Sequence, residues 1–311
     1  MTTKNKPTRY SAGELFGYDL LRVSQAKRIE LAEQAIKSEF QTSQMICPFQ
    51  SGNPSAFCTK KGGVCTMRAY AAGANGEALR IDGFEGALRP ACPKRLNHDN
   101  FVHDLAGQIM LNVSKPIILA EVPLPREGSR RPANRIEDIG RFDYILIDDR
   151  TIDMEDMKFA ALEAQSLYFS GDSMSAEFRS MLGSEDFLKF PIGRRRPDDK
   201  SSMKRLLSQL QEKVPVIRHW GSKMAIVVDQ PFFNSLGDMQ SVKHLSNGDI
   251  AWIIVGFKDE AEGQSKIYCE KVIYTTLEKT IEILTRGEPM SREDFQLKLI
   301  DRISASSGAI L

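Results

Sequence analysis

An α/β or α+β fold, a mixed sheet flanked by helices, is what this 311-residue sequence predicts. Three observations carry that expectation. Short apolar runs of strand length recur from residue 117 onward, stretches with helical spacing lie between them, and turn-forming residues separate the two. At 41% hydrophobic and 27% charged, the composition suits an ordinary globular protein, and no apolar run reaches membrane-spanning length. The formal net charge is +1, so any case for a polyanionic partner must rest on local clusters.

Along the chain, Met1 to Thr8 is polar, and Ser11 with Glu14 reads as a capping box opening a helical stretch. Val23 to Phe40 repeats Ile29, Ala32, Ala35 and Ile36 at helical spacing. A glycine-rich cysteine segment then runs to about Asn97. A helix over Phe101 to Asn112 precedes a buried strand over Ile117 to Val122, then a long polar connection from Pro123 to Arg141. Strands are expected at Phe142–Ile147, Phe159–Tyr168, Met224–Val228, Ile250–Phe257 and Lys266–Tyr274. Helices are expected at Met203–Lys213, Leu277–Arg286 and Arg292–Ile303. Three units follow: an N-terminal helical segment over 1–40, a loop-rich four-cysteine subdomain over 41–100, and an α/β core over 101–311.

The cysteine segment carries four of the five cysteines, Cys47, Cys58, Cys65 and Cys92, in the spacing C-x10-C-x6-C-x26-C. Four thiolates make one closed tetrahedral site for zinc or iron, and such a site can fold a loop too polar to fold unaided. The spacing lacks paired C-x2-C knuckles, and two disulfides or unrelated thiols are the rival readings. Nothing near Met1 resembles a secretion signal, so a cytoplasmic location is expected, where disulfides are rare. Cys269, in an apolar run, reads as a packing residue.

Three carboxylates interrupt apolar strands. Asp143 opens Phe142-Asp143-Tyr144-Ile145-Leu146-Ile147, and Glu163 with Gln165 lies in Leu162-Glu163-Ala164-Gln165-Ser166. Residues two apart on a strand share a face, so Glu163 and Gln165 point together. If the two strands are neighbours, Asp143 and Glu163 converge on one divalent cation. Magnesium takes oxygen ligands and keeps several waters, which suits two carboxylates plus a phosphate oxygen. Glu121, in Leu119-Ala120-Glu121-Val122, completes a second metal position or orients a water; its bland reading is an exposed strand-end residue. The same holds for the pair, since one Asp and one Glu on adjacent strands are commonly surface residues.

The strongest basic cluster is Arg194, Arg195 and Arg196, followed by Asp198, Asp199, Lys204 and Arg205 around a helix start. Guanidiniums near a helix N-terminus attract phosphate. Arg reads guanine and Asp accepts from cytosine N4, so the cluster suits G·C-rich DNA. A solvated basic turn is the alternative. The arginines between Arg126 and Arg141, Arg131 among them, suit a phosphate-contacting loop.

Taken in order, these segments resemble the NotI-type restriction endonucleases. The matching pieces are Glu14-Leu15-Phe16-Gly17, Cys47-Pro48-Phe49, Gly63-Val64-Cys65, Cys92-Pro93-Lys94-Arg95 and Phe142-Asp143-Tyr144-Ile145-Leu146. Glu163-x-Gln165, Arg195-Arg196-Pro197-Asp198, Ser201-Ser202-x-Lys204-Arg205-Leu206 and Trp220-Gly221-Ser222-Lys223-Met224 follow. The resemblance runs from about residue 11 to about residue 235. It implies a PD-(D/E)XK nuclease core, a homodimer on palindromic double-stranded DNA, and a cognate DNA methyltransferase guarding the same site. It implies a structural iron at Cys47, Cys58, Cys65 and Cys92, with zinc as the alternative. It implies Mg2+ at Asp143 and Glu163, and places Gln165 where most PD-(D/E)XK enzymes carry lysine. Glu121 corresponds less securely. A non-catalytic, metal-stabilised DNA-binding protein is the second functional reading.

Overall fold

The computed structural model describes residues 7–305 apart from 42–43, 51–54, 126–137, 184 and 286–289. Two sheets organise the described residues. The first contains β1 (Thr8–Leu15), β2 (Tyr18–Asp19), β3 (Val64–Ala72), β4 (Ala78–Arg80) and β5 (Arg89–Pro90), with α1 (Gln25–Lys37) between β2 and β3. Its spatial order is β2-β1-β3-β4, with β5 also on β3, and every pairing is antiparallel.

Ser11 and Glu14 therefore stand on a strand, not in a capping box. They pair with Arg68 and Thr66 of β3, a partner too distant in sequence for local spacing to reveal. The helix starts only after Ser24, whose Oγ accepts from the Lys27 N–H at 3.3 Å. The cysteine segment is likewise less loop-like than its glycines suggest, because β3 runs through it. Since β1 pairs with β3, one sheet spans both the segment ending at residue 40 and the one ending at residue 100.

After α2 (Phe101–Leu111) come β6 (Ile117–Pro125), β7 (Asp138–Ile147) and β8 (Phe159–Ala164). Short elements follow: β9 (Phe169–Gly171), α3 (Ser175–Ser180) and β10 (Arg195–Pro197), with β9 and β10 forming a separate ribbon. The strand expected to reach Tyr168 thus ends at Ala164. Then come α4 (Asp199–His219), β11 (Met224–Asp229), α5 (Gln230–Leu236), β12 (Ile250–Asp259), β13 (Ser265–Thr275), α6 (Leu277–Thr285) and α7 (Arg292–Ala305). The second sheet has the order β13-β12-β11-β8-β7-β6. It is mixed: β11 runs parallel to β8 and β12, and the other pairings are antiparallel.

Helices cover both faces of this sheet. Met224, Ile226 and Val228 pack toward α4 and α5, while Ala225 and Val227 pack toward α2. A central strand covered on both sides must be apolar at every position, which is why Met224–Val228 reads as an unbroken apolar run. Each such aliphatic side chain contributes about 1.5–3 kcal/mol on burial. Among the described residues no helix is long and apolar enough to cross a membrane.

Candidate active site

The antiparallel register of β7 and β8 pairs Tyr144 with Leu162 and Ile145 with Ala161, which brings Asp143 opposite Glu163 at the end of the ladder. Each carboxylate is tied to the other strand. Asp143 Oδ2 accepts from the Ala164 N–H at 2.9 Å, and Glu163 Oε1 accepts from the Asp143 N–H at 3.4 Å.

On the other flank, β6 pairs Ala120 with Tyr144 and Val122 with Phe142, leaving Glu121 level with Asp143 but outside the ladder. Glu121 has φ +54°, a left-handed conformation rare for a residue with a Cβ. The kink interrupts pairing and re-aims the exposed Glu121 side chain, as bulges beside functional sites do. Three acids thus stand level on three consecutive strands. Their fields register the proximity: burial raises the Asp143 carboxyl most, and the Glu121 charge raises it further.

Glu163 is buried and its pKa is pushed up to about 7, first by desolvation and then by the Asp143 charge. Lys213 opposes both. Its Nζ lies 2.8 Å from Glu163 Oε1, and both side chains are only 3% exposed. Lys213 comes from α4, where Leu206, Leu210, Val214 and Ile217 form the buried face. Sequence reasoning passed over it, although a lysine at helical spacing within an apolar stripe was the signal available. Glu163 Oε2 is buried without a hydrogen-bond partner.

Gln165 is buried beyond the end of β8. Its N–H donates to the Val227 carbonyl at 3.0 Å, and its Nε2 donates to the Ser166 carbonyl at 2.8 Å. On the α2 side, a cavity of about 450 Å³ is lined by Gln50, Lys94, Asn97, His103, Glu121 and Tyr144. Gln50 and Lys94 flank the cysteines in sequence, so the cysteine segment borders Glu121.

The four cysteines are gathered by main-chain bonds. Cys47 N–H donates to the Ala56 carbonyl at 2.9 Å, Cys58 N–H to Met45 at 2.8 Å, and Cys92 N–H to Cys65 at 3.2 Å. Gly62 and Gly63, at φ +71° and +63°, turn the chain between Cys58 and Cys65; a Cβ on Gly63 would lie 2.2 Å from the Phe16 ring. Cys47, Cys58 and Cys65 are buried, and that burial pushes their thiols up; each also feels the charge of Cys92. No disulfide joins the five cysteines, and Cys269 lies apart on β13. Among the described residues no group of three or more His, Cys, Asp or Glu side chains is drawn close enough to hold a metal as it stands. The donor chemistry nonetheless fits: a four-sulfur set for a tetrahedral ion, and oxygens with an orphaned Oε2 for a hard cation.

The basic cluster divides. Arg194 and Arg196 are exposed, as is Lys204. Arg195, expected at the DNA, is instead buried: its Nη1 and Nη2 donate to Glu177 Oε1 and Oε2 at 2.7 and 2.8 Å, and its Nε to the Asp172 carbonyl at 2.7 Å. A guanidinium so engaged fastens β10 to α3 and has no free edge for a base. Asp198 is likewise occupied, capping α4 by accepting from Ser201 N–H at 3.1 Å and Ser201 Oγ at 2.8 Å. Arg205 joins this surface; it stacks on Tyr168 and donates to its hydroxyl, and its charge reaches Asp143. Arg131 lies outside the described residues.

Among known proteins, the family model described as restriction endonuclease NotI matches residues 27–268. No curated protein and no solved structure matches the chain. The matched span takes in the four cysteines, the three level acids, Lys213 and the basic cluster, and leaves β1 outside.

Proposed function

The chain belongs to the NotI restriction endonuclease family and is a site-specific deoxyribonuclease; from that premise we propose a type II enzyme that hydrolyses double-stranded DNA at a palindromic, G·C-rich site with Mg2+. The observation carrying this reading is the level row Glu121, Asp143 and Glu163 on three neighbouring strands of the mixed six-stranded sheet. Asp143 and Glu163 hold the cation, Glu163 through its orphaned Oε2. Bound magnesium would activate water and offset charge on the phosphorus. Gln165, neutral and with Nε2 engaged, keeps Oε1 to orient that water and cannot serve as its base. Glu121 orients a water or shares a second cation. Arg194, Arg196 and Lys204 contact bases or phosphates. A homodimer matches the two-fold symmetry of the site, and a cognate methyltransferase protects host DNA there without needing to touch this protein.

Cys47, Cys58, Cys65 and Cys92 hold a structural iron, or zinc in its place. Elemental analysis with an absorption spectrum decides between them, a colourless protein meaning zinc. The reaction is tested by digesting a large, sequenced, unmethylated DNA with and without Mg2+, beside Glu163→Ala. Discrete fragments that need both the metal and Glu163 support the enzyme, and their mapped ends give the site. Intact DNA bound by a folded, metal-loaded protein favours the non-catalytic reading.

A further inference from the structure

The acid row has an electrostatic problem that the strands do not solve. Asp143 and Glu163 are both largely buried and adjacent, and Glu121 adds a third negative charge at the same level. The strand position that could carry a compensating cation is Gln165, which is neutral. Among the described residues, the ammonium in contact with the row comes from elsewhere: Lys213, reaching across from α4 to Glu163 Oε1 at 2.8 Å and lying 5.7 Å from the Phe142 ring centroid.

Its placement argues against a packing role. Lys213 occupies the stripe of Leu206, Leu210 and Ile217, where an aliphatic side chain would be the stable choice. Burying an ion pair gives little net stability compared with a well-packed apolar pair, because desolvating both charges costs several kcal/mol each. The salt bridge also partitions the carboxylate, with Oε1 engaged and Oε2 buried and unpartnered. We propose that Lys213 is the positioning residue of this site: it supplies, from α4, the positive charge that Gln165 cannot, and fixes Glu163 with Oε2 presented to a divalent cation. The inference rests on the metal-dependent reading above.

The test compares Lys213→Met, Lys213→Gln and Lys213→Met/Gln165→Lys with the full-length protein, beside Glu163→Gln. Single-turnover cleavage with Mg2+, DNA affinity with Ca2+, and Mn2+ binding by calorimetry without DNA are measured. The expected result is cleavage slowed about a hundredfold or more in Lys213→Met with DNA affinity within about threefold, and Mn2+ affinity without DNA changed at least threefold. Gln165→Lys, two residues on from Glu163 and just past the end of β8, then recovers at least about tenfold in rate. A residue that merely packs would give no such rescue. Should Lys213→Met not fold, Lys213→Gln, which keeps a hydrogen bond but loses the charge, carries the same expectation. Wild-type rates in a folded Lys213 variant, or a loss that Gln165→Lys leaves untouched, overturn the proposal. If Glu163→Gln also cuts, the acid-row reading falls; if only the Lys213 variants cut normally, this inference alone falls.

Discussion

In the six-stranded sheet, β11 and β12 bury unbroken apolar runs, and half-buried Asp143 meets buried Glu163 between β7 and β8, where a cation is expected. In the five-stranded sheet charge is buried throughout. Arg95 donates to Glu14 at 2.7 and 3.0 Å and to the Ser265 carbonyl at 2.7 Å, sandwiched between the Phe49 and Phe257 rings. Arg68 pairs with Asp19 at 3.1 Å, and Arg89 reaches Asp199 and Asp229 of the other half at 3.0 and 3.4 Å. The larger sheet is held by hydrophobic burial and can spare a few charges for chemistry. The smaller one, with cysteines in its core, spends its charges on being folded and on docking to the larger.

That contrast breaks most sharply at two glutamates, both fully or nearly buried. Glu163→Gln, which keeps a hydrogen-bond acceptor for Lys213, should bring DNA cleavage to background while leaving the urea midpoint close to wild type. Glu14→Ala should do the reverse at first contact, costing about 3–5 kcal/mol because Arg95 is left buried and unpaired. Replacing both partners, Glu14→Leu with Arg95→Met, should recover much of that loss. Equal destabilisation by both single changes would erase the distinction between the sheets.

The pH dependence sharpens the comparison next. Glu163 is raised from its ordinary range to about 7, so between about 4.5 and 7 the folded chain holds a proton that the unfolded chain has released. Stability from this group is therefore present at low pH and lost as pH rises through that window, by about 3 kcal/mol in all. A divalent cation binds the ionised carboxylate and reverses the loss. Thermal unfolding should show Mg2+ raising Tm more at pH 8 than at pH 6, and Glu163→Gln should flatten that difference. A Tm gain independent of pH would detach Glu163 from the cation.

How much of this was legible in the sequence follows the same divide. The main strands of the second sheet and the long α4 were readable from apolar runs and helical stripes, but β9, β10, α3 and α5 were not foreseen. β6 is a largely exposed edge strand rather than the buried one expected, and β7 begins at Asp138, within the expected polar connection. Asp143 and Glu163 stood out as polar breaks in such runs. The first sheet was not readable. Thr8–Leu15 and Val64–Ala72 carry Arg9, Glu14, Thr66 and Arg68 in strand positions, and their partners are far apart in the chain. Lys213 was missed for a related reason: its partner sits on a strand fifty residues earlier, a distance no local period spans.

The finest division falls between neighbours on one short strand. Arg195 and Arg196 are indistinguishable by composition, yet β10 turns one inward to Glu177 and the other to solvent. Alternation along the strand, not sequence context, decides which guanidinium a DNA can meet. Arg196→Ala should leave stability unchanged and relax discrimination at one base pair by about 1–3 kcal/mol, read as cleavage of singly substituted sites. Arg195→Ala should instead lower Tm by freeing α3 from β10 and leaving Glu177 buried and unpaired, and weaken cleavage of all sites alike. Were Arg195→Ala to change site choice at unaltered Tm, the ribbon would have to open on DNA, and the inward arginine would belong to the recognition surface after all.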